Sequence, residues 1–193
     1  MNRPSKEVAI YTDGACLGNP GPGGYCAILV HGKHELEFSG GFRLTTNNRM
    51  ELMAAIAGLR GLKLTCTVTV FSDSRYVVNP MQTGLVHKWK ANDWMRNRKD
   101  KVLNVDLWEQ LLALTTQFNA SFDWLRGHHG HELNERCDRI AAGAANQPDL
   151  QADEVYESDH LQTLTEDPGV ERDSILALPA PRQDTPEMGT RGA

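Results

Sequence analysis

The fold is decided by residues 8–42, VAIYTDGACLGNPGPGGYCAILVHGKHELEFSGGF. Runs of β-branched and aromatic residues predict strands over 7–13, 24–31 and 34–43. A Gly/Pro-rich loop follows the first strand, and the short turn HGKH joins the second to the third. Because short connections favour antiparallel pairing, the three strands are expected to form a meander.

The chain beyond this meander alternates helices with strands. The patterns predict a helix over about 46–61, a strand over 67–72, helical segments across 74–91, a helix over about 104–115, a strand over 119–125 and a last helix over 133–146. Pro80 is expected to end or kink its helical segment. Such alternation implies parallel strands joined by right-handed crossovers, so the sequence predicts an α/β fold with a mixed sheet.

Charge divides the 193-residue chain into two parts. Residues 1–149 hold 17 Lys and Arg against 15 Asp and Glu, whereas 150–193 hold 3 against 10. The acidic, Pro-rich segment from about residue 151 has too little apolar surface to order itself, so we expect a domain over 1–149 and a disordered tail over 150–193. A short partner-binding helix around 174–178 is the alternative for part of that tail.

The four cysteines, Cys16, Cys26, Cys66 and Cys137, form no CxxC pair and have no zinc-site spacing. They are expected to be reduced thiols in a cytoplasmic protein. Neither a signal peptide nor a membrane span is expected, because no long apolar run occurs. No heptad pattern indicates an oligomer, so a monomer without an obligate protein partner is the default expectation.

Four acidic residues stand in largely apolar surroundings, namely Asp13, Glu51, Asp73 and Asp138. The two that follow predicted strands are expected at the carboxyl ends of those strands, where open α/β sheets bind ligands. The glutamate is the only charged residue between Met50 and Leu59, so its helix should be largely buried. The last of the four borders an apolar stripe at 137, 140, 141 and 144. One divalent-metal site would relieve both their repulsion and their desolvation.

Each carboxylate also has a simpler explanation. An Asp after a strand is usually a turn former or a helix cap, which applies to Asp13 and Asp73. Glu51 could extend to solvent or pair with Arg49 or Arg75, and Asp138 could be a solvated helix residue. Sequence spacing alone does not show that the four residues meet.

Residues 87–101, HKWKANDWMRNRKDK, combine six cations with two tryptophans. Such a stretch can neutralise backbone phosphates and stack on sugars or bases. For Trp89 and Trp94, packing into the core is an equally good explanation. We refer to residues 87–101 as the basic stretch.

Residues 127–131, GHHGH, lie between the last predicted strand and the last helix. Three histidines suggest a metal site, but the other ligands of a closed zinc site are missing. A loop carrying a proton carrier near the carboxylates fits better, because imidazole titrates near neutral pH. His129 and His131 could equally be surface residues without a role.

Five motifs occur in order, YTDGACLGNPGPGGYCAIL, TTNNRMELMAAI, SDSRYV, NVDLW and GHHGHELNERCD. Over roughly residues 5–147 the chain resembles bacterial-type (type 1) ribonuclease H. The resemblance implies the ribonuclease H fold, a five-stranded mixed sheet with helices on both faces. It also implies hydrolysis of the RNA strand of RNA/DNA hybrids with two Mg²⁺ ions, or Mn²⁺ as a substitute, giving 5′-phosphate and 3′-hydroxyl products.

The resemblance assigns residues to this activity. The family's catalytic and metal-binding carboxylates fall on Asp13, Glu51, Asp73 and Asp138, and its mobile histidine on His128. Contacts to the hybrid are predicted for a further set of polar residues: Asn19, Thr46, Asn47, Asn48, Arg75 and Asn134. The basic stretch adds four predicted contacts: Lys88, Trp89, Lys90 and Trp94.

Departures from the family pattern carry their own expectations. His129 replaces a small residue, so either imidazole of the loop could act. Arg75 replaces a common Gln and adds a charge near the substrate. Ala91, Asn92 and Asp93 thin the basic stretch, which predicts weaker hybrid affinity, and the acidic tail could compete with nucleic acid for it. A DNA-processing nuclease of the transposase or resolvase kind and an inactive hybrid-binding module are the competing functions.

Overall fold

The structure is a computed structural model that describes residues 7–64, 66–127 and 130–166. A division into two compact units falls between residues 157 and 158, and the sheet and the candidate site belong to the first unit. None of the helices in the described ranges has the length and apolar character needed to span a membrane.

Five strands form one mixed sheet in the order β3-β2-β1-β4-β5. They are β1 Glu7–Cys16, β2 Gly21–His31, β3 His34–Thr45, β4 Thr67–Ser72 and β5 Asn119–Trp124. The first three strands pair antiparallel, and the pairs β1–β4 and β4–β5 are parallel. The predicted meander and parallel crossovers are confirmed.

The first two strands are longer than the sequence predicted. Their antiparallel ladder continues through the Gly/Pro-rich segment to the pair Cys16 and Gly23. The lack of a side chain on Gly23 leaves room for the side chains packed against it, since a β-carbon there would lie 2.5 Å from the Thr45 side chain and 2.8 Å from the Met50 side chain. The predicted loop is therefore only four residues long, and Asp13 lies inside a strand.

The described residues form six helices: α1 Asn47–Arg60, α2 Arg75–Gln82, α3 Leu85–Ala91, α4 Val105–Gln117, α5 Glu132–Ala145 and α6 Glu154–Glu166. Pro80 lies inside α2, which ends two residues later at Gln82, so the helix does not end at the proline itself, and the kink given as the other possibility stays a prediction. Proline removes only one backbone donor near the end of the helix, and Thr83 closes that end by donating from its N–H and Oγ1 to the Asn79 carbonyl.

Helices cover both faces of the sheet, as the ribonuclease H resemblance implies. Ile10 and Ala27 point into the larger core, which α1 and α4 complete with side chains such as Trp108. Ile28 points to the opposite face, where Cys137 of α5 joins it in a smaller core. Alternation along β1 and β2 therefore gives each face its own apolar layer.

The segment after residue 149 differs from the disorder predicted for it. The Arg43 N–H donates to the Gln151 carbonyl over 2.9 Å, and Phe42 forms a parallel bridge with Gln151. Helix α6 begins three residues later. The predicted disorder is therefore wrong for residues 151–166.

Polar contacts to the sheet and α1, rather than apolar burial, order the start of this segment. Asp153 and Glu157 are both buried, and they accept hydrogen bonds from Arg49 and Arg43. Composition alone could not reveal such partners. The helix considered for 174–178 lies outside the described residues, and the domain boundary at 149 stays a prediction.

Candidate active site

Three of the predicted carboxylates meet at one end of the sheet. Asp13 lies in β1 and Asp73 directly follows β4, and these two strands are parallel neighbours. Glu51 comes from the second turn of α1. One oxygen of each of the three carboxylates lies within 4.8 Å of the others. We call this group the carboxylate cluster.

Gly14 allows Glu51 to approach the sheet. A β-carbon on Gly14 would collide with the backbone nitrogen of Glu51 and with the backbone of Met50. The absence of a side chain therefore lets α1 lie directly against β1 beside Asp13, whose Oδ1 accepts the Gly14 N–H over 2.7 Å. This close approach brings a helix carboxylate to a strand carboxylate.

Two members of the carboxylate cluster are buried and Asp73 is half-buried, and none of the three forms an ion pair within the described part of the chain. Asp13 and Glu51 are each 7% exposed. Burial, then the charges of Asp73 and Asp138, raise the pKa of Asp13 to about 7. Burial, then the charges of Asp13 and Asp73, raise the pKa of Glu51 well above its ordinary value. A carboxylate in this setting favours the ionised form only when a cation joins it.

The two carboxylate oxygens of Glu51 have different surroundings. Its Oε1 accepts a hydrogen bond from Asn47 over 3.5 Å, whereas its Oε2 is buried without a hydrogen-bond partner in the described part of the chain. Neither arginine considered as a partner is paired with it, because Arg49 binds Asp106 and Asp153 and Arg75 lies over Trp124. Oxygen-rich, anionic surroundings of this kind suit Mg²⁺ or Mn²⁺.

Asp138 is placed near the carboxylate cluster but not within it. It lies half-buried on α5, after the buried Cys137. Its charge contributes to the raised pKa of Asp13. The group with oxygens within 4.8 Å contains three carboxylates and not Asp138. A fourth metal ligand therefore stays a prediction.

The histidine loop is only partly described. His128 and His129 lie outside the described residues. His131 is exposed and directly precedes α5, and the Gly130 N–H donates to Glu135 over 3.2 Å. The role predicted for His128 stays a prediction.

Three of the predicted substrate residues border the carboxylate cluster. The Asn19 side chain accepts the N–H of Asn47 over 3.2 Å, and Asn47 in turn reaches Glu51. Asn134 is buried, donates to Asp73 over 3.4 Å and keeps its Oδ1 without a partner in the described part of the chain. Thr46 precedes α1 and Asn48 lies exposed on its first turn.

The structure separates the cations of the basic stretch from its tryptophans. Lys88 and Lys90 are exposed on α3. Trp94 is only 8% exposed and donates its indole N–H to Glu109 over 3.1 Å. Trp89 is half-buried and meets Trp108 edge-on at 5.9 Å. These contacts favour core packing over substrate contact for Trp94.

Sequence reasoning missed two groups of residues around the site. Asp106 and Asp153 hold Arg49 two residues before Glu51, and no pattern links these distant positions. Trp124 ends β5 with its indole N–H on the Asp73 carbonyl. An exposed aromatic residue at the carboxyl end of a predicted strand was the available signal for Trp124.

Comparisons with known proteins agree with this geometry. A family model described as RNase H matches residues 5–146. A ribonuclease H of Rippkaea orientalis is 55% identical over 163 residues, which cover 84% of this chain and 100% of the relative. The solved LC9-RNase H1, a type 1 RNase H with the type 2 active-site motif, has a TM-score of 0.66 and 30% identity over 75% of this chain and 74% of its own.

A second solved structure shows the fold alone. LC11-RNase H1, in complex with an RNA/DNA hybrid, has a TM-score of 0.56 and 24% identity over 72% of this chain and 96% of its own. The five-stranded mixed sheet, with three carboxylates of β1, α1 and the end of β4 brought together beside it, defines a ribonuclease H-like protein. By the family match and the identity to its relatives, the chain belongs to the RNase H family, and it is a nuclease.

Proposed function

We propose that this protein hydrolyses the RNA strand of RNA/DNA hybrids with two divalent ions, Mg²⁺ or Mn²⁺, and leaves 5′-phosphate and 3′-hydroxyl ends. The observation that carries the proposal is the carboxylate cluster, in which Glu51 keeps a buried oxygen without a partner in the described part of the chain. A buried anionic group without a protein cation is costly in a purely structural role.

Asp13, Glu51 and Asp73 would hold the metal, with Asp138 as the proposed fourth ligand. Bound divalent ions supply Lewis-acid stabilisation of the phosphate and of the leaving 3′ oxygen, and they lower the pKa of a bound water. The protein contributes Asp13 from within β1, Glu51 from α1 and Asp73 from the residue directly after β4, so the proposed ligands are held by the sheet and its adjoining helix.

The polar residues around the carboxylate cluster would orient the substrate. Asn19 and Asn47 form a hydrogen-bonded pair next to Glu51, and Asn134 lies against Asp73. Amide groups both donate and accept hydrogen bonds, which suits 2′-hydroxyls in a minor groove and so selects RNA. Thr46, Asn48, Lys88 and Lys90 would contact the backbone, and His128 would move a proton near the scissile phosphate.

Cleavage of a labelled RNA/DNA hybrid tests this function. We expect the wild-type protein with Mg²⁺ to cut only the RNA strand of the hybrid, and neither duplex RNA nor duplex DNA. EDTA should abolish the cutting. Asp73→Asn should reduce it by at least about 10³-fold, because a ligand that stabilises charge in the transition state is lost.

Asp123→Asn is the matched control, since Asp123 is an exposed carboxylate on the neighbouring parallel strand β5. It should cut like the wild type. Tight hybrid binding without cutting in either metal would instead make the protein a binding module. Cutting of duplex DNA would favour a DNA-processing nuclease. The single-subunit state and the cytoplasmic location stay predictions, and the four cysteines are free thiols as expected.

A further inference from the structure

Trp124 makes two contacts beside the carboxylate cluster. It ends β5 and is 38% exposed, which is unusual for so large an apolar side chain. Its indole N–H donates to the backbone carbonyl of Asp73 over 3.0 Å. The guanidinium of Arg75 lies over its ring at 4.3 Å from the centroid. One side chain therefore touches both Asp73 and Arg75.

The backbone fixes Trp124 in this place. It pairs with Ser72 in the parallel β4–β5 ladder, and the next N–H, of Leu125, donates to the Ser72 carbonyl over 2.9 Å. The indole is therefore attached to a rigid strand, and its position relative to Asp73 is set by the sheet. A residue so anchored can position others.

Arg75 has its charge available for a ligand. It is exposed, and within the described part of the chain it forms neither an ion pair nor a side-chain hydrogen bond. Stacking uses the flat face of a guanidinium and leaves the N–H groups at its edge free for bidentate binding of a phosphate. Stacking also restricts a long side chain before any ligand arrives.

We propose that Trp124 is a positioning residue that holds Arg75 for contact with a backbone phosphate of the nucleic acid next to the carboxylate cluster. The proposal rests on the proposed function, since it assumes a nucleic-acid substrate at this end of the sheet. Arg75 provides the charge, and Trp124 determines where that charge lies.

The salt dependence of hybrid binding measures this contact. Hybrid affinity is determined in EDTA, where no cutting is expected, at several NaCl concentrations. The plot of log K against log salt has a negative slope, and each lost phosphate contact makes that slope less steep by about 0.7 to 0.9. We expect this loss for Arg75→Gln and also for Trp124→Leu, with no further loss in the double variant.

Two further variants separate the roles. Trp124→Phe keeps a ring under Arg75 and should retain the wild-type slope, while loss of the N–H to Asp73 should lower kcat. Arg60→Gln removes an exposed arginine at the opposite end of α1 from Glu51, and it should leave the slope unchanged. Thermal melting checks folding, and Trp124→Met replaces Trp124→Leu if the latter does not fold.

The outcomes are distinct. A wild-type slope for Trp124→Leu, with a reduced slope for Arg75→Gln, would overturn the positioning role. Equal slopes for Arg75→Gln and Arg60→Gln would overturn the phosphate contact. Failure of the wild-type protein to bind or cut any hybrid would instead reject the proposed function, and the wild-type cleavage assay on the same preparation identifies that case.

Discussion

Arg49 and Glu51 lie two residues apart on α1 and are almost equally buried, at 4% and 7% exposed, yet their surroundings are opposite. Arg49 meets two carboxylates of opposite charge, Asp106 and Asp153. Glu51 meets two carboxylates of its own charge, Asp13 and Asp73. The same helix thus carries one satisfied and one unsatisfied buried charge.

The group around Arg49 is closed by hydrogen bonds. Its Nε and Nη2 donate to Asp153 over 2.6 and 2.7 Å, and its Nη1 and Nη2 donate to Asp106 over 2.9 and 2.7 Å. Asp153 also accepts the Thr45 hydroxyl over 2.7 Å. Burial alone would lower the pKa of Arg49, but these hydrogen bonds raise it above its ordinary value, so the charge is secure.

The carboxylate cluster accepts hydrogen bonds from neutral groups of Gly14, Asn47 and Asn134, but within the described part of the chain it forms no ion pair and Glu51 Oε2 has no partner. The comparison shows that the fold supplies two oppositely charged partners to Arg49 on α1, whereas it supplies none to Glu51 among the described residues. Buried groups that break the rules of polar satisfaction are concentrated at functional sites. The group around Arg49 links α1 to α4 and to Asp153, and the carboxylate cluster is compatible with binding a divalent metal ion.

The largest effect on stability is expected when one of the two carboxylate partners of Arg49 is removed. Asp153→Ala should lower the free energy of unfolding by about 3 kcal/mol, because one partner of a buried ion pair is removed while Asp106 still pairs with Arg49. Urea unfolding measures this loss. Asp149→Ala, at an exposed carboxylate four residues earlier, should change stability by no more than about 0.5 kcal/mol. Equal values for the two variants would contradict the structural role of Asp153.

Local patterns explain why much of the fold and part of the site could be predicted. The periodicity of strands and helices can be recognised within short stretches of sequence, and it predicted β1, β4 and α1. Because Asp13 and Asp73 each lie two residues beyond the last parallel pair of β1 and β4, Tyr11 and Phe71, their meeting follows from parallel pairing. Assigning Glu51 to the same site, however, depended on the family resemblance as well as on its apolar surroundings.

Partners distant in sequence could not be predicted in this way. Arg49 binds residues 57 and 104 positions away, and no periodic pattern connects them. Asp153 even lies beyond the predicted domain boundary, because an average over an acidic segment hides one carboxylate with a buried partner. Trp94 shows the same limit, because the composition of the basic stretch does not indicate whether its indole is buried in the core or exposed.

A second, smaller effect on the free energy of unfolding is expected in EDTA when one negative charge is removed from the carboxylate cluster. The pKa of Asp13 is raised from 3.8 to about 7, so the folded protein keeps a proton that the unfolded chain releases. The contribution of Asp13 to the free energy of unfolding should therefore fall as the pH rises from about 4 to about 7. Asp13→Asn should weaken this fall and should gain roughly 1 to 3 kcal/mol at pH 8, below the upper limit of about 4 kcal/mol set by the shift.

Adding Mg²⁺ at pH 8 sharpens this test. It should stabilise the wild-type protein, because a ligand that binds only the folded state shifts the equilibrium, and it should stabilise Asp13→Asn less. Chemical unfolding at several pH values measures both effects. If the stability difference between the wild type and Asp13→Asn in EDTA stayed constant between pH 4 and 8, the unpaired state of the carboxylate cluster would be rejected.

The smallest effect is expected for the ion pair of Arg43 and Glu157, in which only the glutamate is buried. Arg43 is 31% exposed and donates to the buried Glu157 over 2.8 Å at the start of α6. Solvent screens the arginine, so Arg43→Ala should cost about 0.5 to 1 kcal/mol. Arg96→Ala breaks the exposed pair with Asp100 and should cost almost nothing. If Arg43→Ala destabilised as much as Asp153→Ala, burial would not be what distinguishes these groups.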